Sequence, residues 1–234
     1  MKLNIHHWSI KLVCLLFATD ILFIVIHLIF AYFDISNPDL SIEKDRGYAE
    51  IFQYIKEYWI ALILAFLALR WRSFLYLSWS LLFLYLLIDD SFQAHETLSK
   101  YICIEGTHLG YFSCSMPSLL EPIVSAIVGI FFLICISISY YYSNRVSRKI
   151  SKTLIVMLFS LVFFGVLLDI IHGLVRIHLL HFLLACLEDG GEMIVMSSIA
   201  SFVFLLPERL ELENKSLEVT AKNHRRVLSK KLID

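Results

Sequence analysis

Six stretches of this chain are apolar for roughly the 20 residues that a helix needs to cross a hydrocarbon layer about 30 Å thick. They fall at roughly 8–32, 52–70, 73–95, 119–142, 153–175 and 185–206, and so many spans leave room for little else. Composition agrees, with 59% hydrophobic and 18% charged residues and a mean hydropathy of +0.74. A soluble globule is less apolar and more charged, and a disordered chain is the opposite of this one. The sequence therefore predicts an all-α, polytopic integral membrane helical bundle of about six transmembrane helices. It divides into the bundle, residues 1–206, and a charged tail, residues 207–234.

Charge placement gives an orientation, because cytoplasmic loops are enriched in Lys and Arg. With the N-terminus inside, 15 of the 20 basic residues fall on the cytoplasmic side: Lys2 and Lys11, Arg70 and Arg72, four between Arg145 and Lys152, and seven from Arg209 to Lys231. Lys44, Arg46, Lys56, Lys100 and Arg176 fall outside. Both termini are expected in the cytoplasm, in a bacterial inner (plasma) membrane. The first run is too long for the apolar part of a signal peptide and lacks a small-residue cleavage site, so it is read as a retained helix. The net charge of -1 gives no sign of a nucleic-acid surface, and the lipid bilayer is the expected partner.

Between the spans the chain is short. Tyr48, Phe52, Tyr54, Tyr58 and Trp59 alternate with charges, which suggests an amphipathic helix lying at the interface. A separate short helix is expected after Pro207. Cys103 and Cys114 bracket an outer loop in a compartment where disulfides persist, and a disulfide between them is expected. Cys14, Cys135 and Cys186 read as small buried hydrophobes.

Ionisable residues inside a span cost roughly 2.5 to 3.5 kcal/mol each on insertion scales, and here they recur at helical spacing. Asp20 and His27 are seven apart, as are Asp89 and Glu96, and such pairs share one helix face. Asp169, His172 and Arg176 run at i, i+3 and i+7; Glu188 and Glu192 are one turn apart. Counted along the helices, most of these groups reach the outer half of the bilayer. Eight acids, including Asp90 and Asp189, gather there with Arg176 as the one fixed positive charge nearby. Carboxylates at that density cannot all ionise in a low dielectric, so protons or cations must accompany them. The second helix, with Lys56 and Glu57, reads as adding little.

His mixed with carboxylates suits zinc, iron or manganese, and acids and His projecting inward from several helices are the plan of dimetal sites. A divalent metal held by Asp20, His27, Asp89, Asp169, His172 and Glu188 is therefore expected, with Glu96 and Glu192 as catalytic residues, a remaining carboxylate serving as general base, and Arg176 as counter-ion. The corresponding function is a metal-dependent enzyme that hydrolyses or oxidises a lipid or another membrane-embedded substrate. No established motif completes: His95-Glu96-Thr-Leu-Ser99 has Ser where a zinc protease has its second His. The alternative is a proton- or cation-coupled transporter or channel subunit, in which the acids relay protons or hold the ion and a homo-oligomer completes the pathway. A third reading is a membrane sensing or anchoring subunit that engages a partner through its basic tail.

Overall fold

The computed structural model describes residues 2–33, 35, 37–108, 120–174 and 178–231, and among these all regular structure is helical. In chain order the helices are α1 (Lys2–Phe33), α2 (Tyr48–Trp71), α3 (Phe74–Phe92), α4 (Ala94–His108), α5 (Glu121–Tyr141), α6 (Arg145–Val162), α7 (Asp169–Leu174) and α8 (His178–Lys231). A 3-10 turn, Pro38–Leu40, lies between α1 and α2. A π-helical segment, Phe163–Leu168, joins α6 to α7. Six helical stretches are long and apolar enough to cross a membrane: Ile10–Phe33, Tyr48–Trp71, Phe74–Phe92, Pro122–Tyr141, Arg145–His172 and Phe182–Lys215. The protein is a helical membrane bundle.

Local chemistry sets the joints. Arg72 ends α2 in the left-handed region (φ 47°), and its backbone N–H donates to Ala68 O. This tight C-cap, usually a glycine's task, reverses the chain into α3 within two residues. Gln93 (φ 51°) closes α3 in the same way onto Asp89 O. Asn144 caps α6 by accepting from Ser147 N, and proline stands in the first turn of α5, where its missing N–H costs nothing.

Three helices make the centre. Ile60, Leu64 and Leu67 on α2 recur at i, i+4 and i+7, and Met196, Ile199 and Val203 on α8 at i, i+3 and i+7. Both rows enclose Trp79 and Phe83 of α3 in one buried cluster. Half of the most apolar window of the α8 span is buried (50%), and 44% of that of α2, against 17% for α1 and 11% for α5. Thus α1 and α5 present most of their surface to lipid, which for an apolar side chain is no cost. Buried polar groups in the core are matched: Trp79 Nε1 donates to Ser151 Oγ at 3.0 Å, and Ser80 Oγ donates to Ala61 O at 2.8 Å.

Two local expectations are corrected. The aromatic segment from Tyr48 to Trp59 is not a separate interfacial helix but the opening of α2. Its charged residues are accommodated by burial against other helices. After Pro207 the chain does not start a new helix, since α8 passes through that proline to Lys231. A proline removes one backbone hydrogen bond and strains its helix, but the packed residues Leu206 and Leu210 on either side hold the axis together.

Candidate functional site

At one end of the bundle, the start of α2, the α3/α4 junction, the π-helical segment and α8 surround a cavity of about 280 Å³, roofed by the loop from Ile42 to Asp45. Seven of its fifteen lining residues are acids, from Glu43 to Glu192, and only Lys44 and His95 are basic. Gln53 lies on its floor, donating from Nε2 to Glu192 Oε2 at 3.3 Å. Gly165 shapes the wall. A Cβ there would collide with Glu192 Oε1, so glycine lets the π-helical segment and the carboxylate of α8 occupy adjoining space.

One turn past Gln53 along α2, Lys56 is completely buried. Its ammonium donates to Asp20 Oδ1 of α1 at 3.0 Å, and to Met193 O at 3.0 Å and Ser197 Oγ at 3.3 Å of α8. The Phe52 ring adds a cation-π contact at 4.9 Å. Asp20 is equally inaccessible, and its second oxygen, Oδ2, has no hydrogen-bond partner. Glu57, the next residue, is rotated by about 100° on the helix and points elsewhere. It is fully buried, neither of its oxygens finds a donor, and it faces the Asp90 carboxyl of α3 with Glu192 nearby.

These positions change the charge inventory. Lys56, expected on the outer side from the placement of basic residues, is a buried cation of the bundle, and α2 contributes Gln53, Lys56 and Glu57 to the polar interior. The sequence held a signal for this: two adjacent ionisable residues interrupting an otherwise apolar span, beside a group of acids short of a counter-charge. Because neighbouring residues on a helix face different ways, a stripe search by i, i+3 and i+7 does not register them.

The expected site residues are distributed as follows. Asp20 holds Lys56. His27 accepts or donates at Nδ1 with Ser41 Oγ at 3.2 Å, stacks on Phe182, and brings Nε2 within 3.5 Å of Glu43. Asp89 accepts the backbone N–H of His95 at 2.8 Å, while its other oxygen lies 3.1 Å from His95 Nδ1. This contact holds the His95 imidazole, on α4 beyond the α3 span, above its ordinary titration range despite its partial burial. Glu96 and Glu192 line the cavity, and Glu96 also pairs with Lys100 at 2.9 Å. His172 Nδ1 meets Glu188 Oε2 at 2.8 Å, and Asp169 is exposed. Arg176 and Cys114 lie outside the described residues. Cys103 is buried on α4 and is not among the free cysteines, which are Cys14, Cys135 and Cys186.

The structure thus sorts the ionisable groups into pairs. His27 with Glu43, His95 with Asp89 and His172 with Glu188 are three separate imidazole-carboxylate contacts. Among the described residues no three His, Cys, Asp or Glu converge to hold a metal ion. A metal site takes three or four protein ligands, and each of these contacts supplies two.

No curated protein and no solved structure matches the chain. A family model described as a domain of unknown function, DUF8692, matches residues 13–206. That range runs from α1 to Leu206 in the α8 span, and includes every residue of the cavity and of the ion pair beneath it. The chain belongs to the DUF8692 family.

Proposed function

We propose that this membrane protein is a proton- or cation-coupled transport protein, in which the buried Lys56–Asp20 pair is the charge that the transported ion displaces. The observation that supports this most directly is the pair itself: an amine and a carboxyl group 3.0 Å apart, inaccessible and within the spans, below a cavity lined by carboxylates. Such a pair contributes little net stability, since desolvation offsets its Coulombic attraction, and intramembrane ionisable groups as a rule mark ion pathways. The acids concentrate cations at the mouth. Asp20 Oδ2, lacking a partner, is the atom on which an arriving proton or cation is received. Once Asp20 is neutralised, Lys56 keeps only its acceptors on α8, Met193 O and Ser197 Oγ, and the tie between α1 and α2 is released. The Glu57 and Asp90 carboxyls, which face each other, form the step between cavity and pair. With the basic loops cytoplasmic, the cavity faces outward from an inner (plasma) membrane.

Purified protein in liposomes tests this. A pH or sodium gradient should drive flux in the wild type, and Asp20→Asn or Lys56→Met should abolish it while the protein remains folded. Absence of flux for protons, sodium and potassium in the wild type overturns the reading.

A second reading, a metal-dependent enzyme acting on a lipid, draws on the His172–Glu188 and His95–Asp89 contacts. Each supplies two donors, and Glu96 and Glu192 remain as acid and base beside them. Elemental analysis decides it: near-stoichiometric zinc, iron or manganese, lost in His172→Ala, supports the enzyme, and metal-free protein that still conducts ions removes it. The Cys103–Cys114 disulfide belongs to the same orientation, and mass mapping after alkylation without reductant tests it.

A further inference from the structure

At the opposite end of the bundle from the acidic cavity, a larger cavity of about 800 Å³ lies between α3 and α5. Its walls are apolar along their length, with Leu77 and Leu81 on one side and Phe131 and Ile138 on the other. All four are exposed, so the groove opens sideways into the lipid-facing surface. From Ser73 to Leu81 α3 rises about 12 Å, and from Tyr142 back to Phe131 α5 descends about 16 Å. Both lengths match one leaflet of a hydrocarbon core about 30 Å thick.

The mouth has the opposite character, and its chemistry is one-sided. Arg72 is the only charged residue of the lining, and among the described residues it has no acidic partner. Beside it α3 begins at Ser73 without a side-chain cap, leaving first-turn N–H groups and the positive end of the helix dipole. Asn144 Oδ1 is occupied by Ser147 N at 2.8 Å, so its amide Nδ2 remains to donate. The C-terminal carbonyls of α5 that would repel an anion are covered, Tyr140 O by Arg148 Nε at 3.1 Å and Tyr141 O by Arg148 Nη2 at 2.7 Å. A guanidinium, an amide and a free helix N-terminus above a shaft one acyl chain deep complement a phosphodiester carrying a fatty chain.

We infer that this groove is a binding site for one anionic phospholipid of the adjoining leaflet, with its phosphate on Arg72, Asn144 and the start of α3 and an acyl chain between α3 and α5. The charge at the mouth separates this from ordinary solvation by lipid.

The test is native mass spectrometry of the full chain titrated with phosphatidylglycerol or phosphatidylcholine. Wild type should hold one phosphatidylglycerol in preference to phosphatidylcholine. Arg72→Gln should lower phosphatidylglycerol affinity about fivefold to tenfold, as expected for one basic residue at a membrane surface, and leave phosphatidylcholine unchanged; Arg72→Lys should keep much of the preference. A second readout needs no substitution. Cys135, a free thiol that lines the groove, should be alkylated by an apolar maleimide more slowly in nanodiscs containing phosphatidylglycerol than in phosphatidylcholine alone. Equal headgroup preference in wild type and Arg72→Gln, Cys135 labelling indifferent to phosphatidylglycerol, or displacement of the lipid by inorganic phosphate each overturns the assignment.

Discussion

The behaviour of a single buried charge depends on what remains when its partner is removed. Lys56→Met leaves Asp20 ionised or forced to take a proton in an apolar setting, and Asp20→Asn leaves Lys56 with two neutral acceptors. Breaking a buried pair on one side costs about 3–5 kcal/mol, whereas replacing both partners is often close to neutral. The double variant Asp20→Asn with Lys56→Met should therefore melt nearer to wild type in detergent than either single variant does. Equal, additive losses would mean that the two groups do not interact. A second residue-level prediction concerns His95, whose imidazole is raised above its ordinary value of 6.5 by the Asp89 carboxylate 3.1 Å away. A raised value in the folded state means that the contact stabilises most below 6.5 and is lost as pH rises through the folded value. The melting difference between wild type and His95→Gln should thus be largest in mildly acidic solution and shrink towards alkaline pH. A difference that grows with pH would show that the Asp89 contact does not act through the imidazolium. Neither residue's partner was evident from spacing alone. Lys56 and Asp20 are 36 positions apart, and only the packing of both α1 and α2 against α8 joins them.

Between residue and molecule the informative element is the π-helical segment Phe163–Leu168, which lies within a span and against Gly191 and Glu192 of α8. A π turn adds a residue to the helix and is retained mostly where function requires it. Here it brings Gly165 onto Glu192 and Phe164 onto Gly191. Three glycine substitutions separate the possible roles of these contacts. A Cβ on Gly191 would meet the Phe164 ring, a rigid neighbour, and Gly191→Ala should cost about 1–3 kcal/mol as overpacking does. A Cβ on Gly165 would meet the tip of the Glu192 side chain, which can rotate away. Gly165→Ala should therefore lower the melting temperature less, but should break the Gln53 contact and reduce flux. Gly129 on α5 has nothing within 4 Å of its Cβ position. There Gly129→Ala should be neutral or stabilise by about 0.4–1 kcal/mol, by restricting the unfolded chain. Thermal melts of the three variants check the order Gly191, Gly165, Gly129. The six spans were legible in sequence because each rests on a local property, an apolar run of a given length. The π-helical segment was not, since Phe-Phe-Gly-Val-Leu-Leu suits an ordinary apolar α-helix and only its fit to α8 sets the extra residue. The interfacial helix expected at Tyr48 to Trp59 went astray for a related reason: Lys56 and Glu57 read as exposed until partners on other helices were in view.

For the whole molecule, the distribution of charge between the two ends determines which way the site faces. Six spans bring the chain back to the side on which it began. One end of the bundle holds the acid-lined cavity, with Glu43, Asp45 and Glu50 at its rim. The other holds Arg70, Arg72, Arg145 and Arg148, at the α2/α3 turn and the start of α6. The 15 to 5 partition of basic residues in the sequence thus has a counterpart in the fold, and the transport and lipid-binding proposals each draw on one of the two ends. Removing Lys56 from the outer count, because it is buried, makes the asymmetry steeper. Impermeant maleimide labelling of intact cells measures the consequence, in a background with Cys14, Cys135 and Cys186 replaced. A cysteine introduced as Asp45→Cys, at the cavity rim, should label from outside. One introduced as Ser143→Cys, in the α5/α6 turn, should label only after permeabilisation. The reverse pattern would put the acidic cavity in the cytoplasm, where Asp20 would exchange protons with the cell interior. Labelling of both sites from outside would be incompatible with six spans in the order described, because three of them, α2, α3 and α5, lie between the two positions and put them on opposite faces.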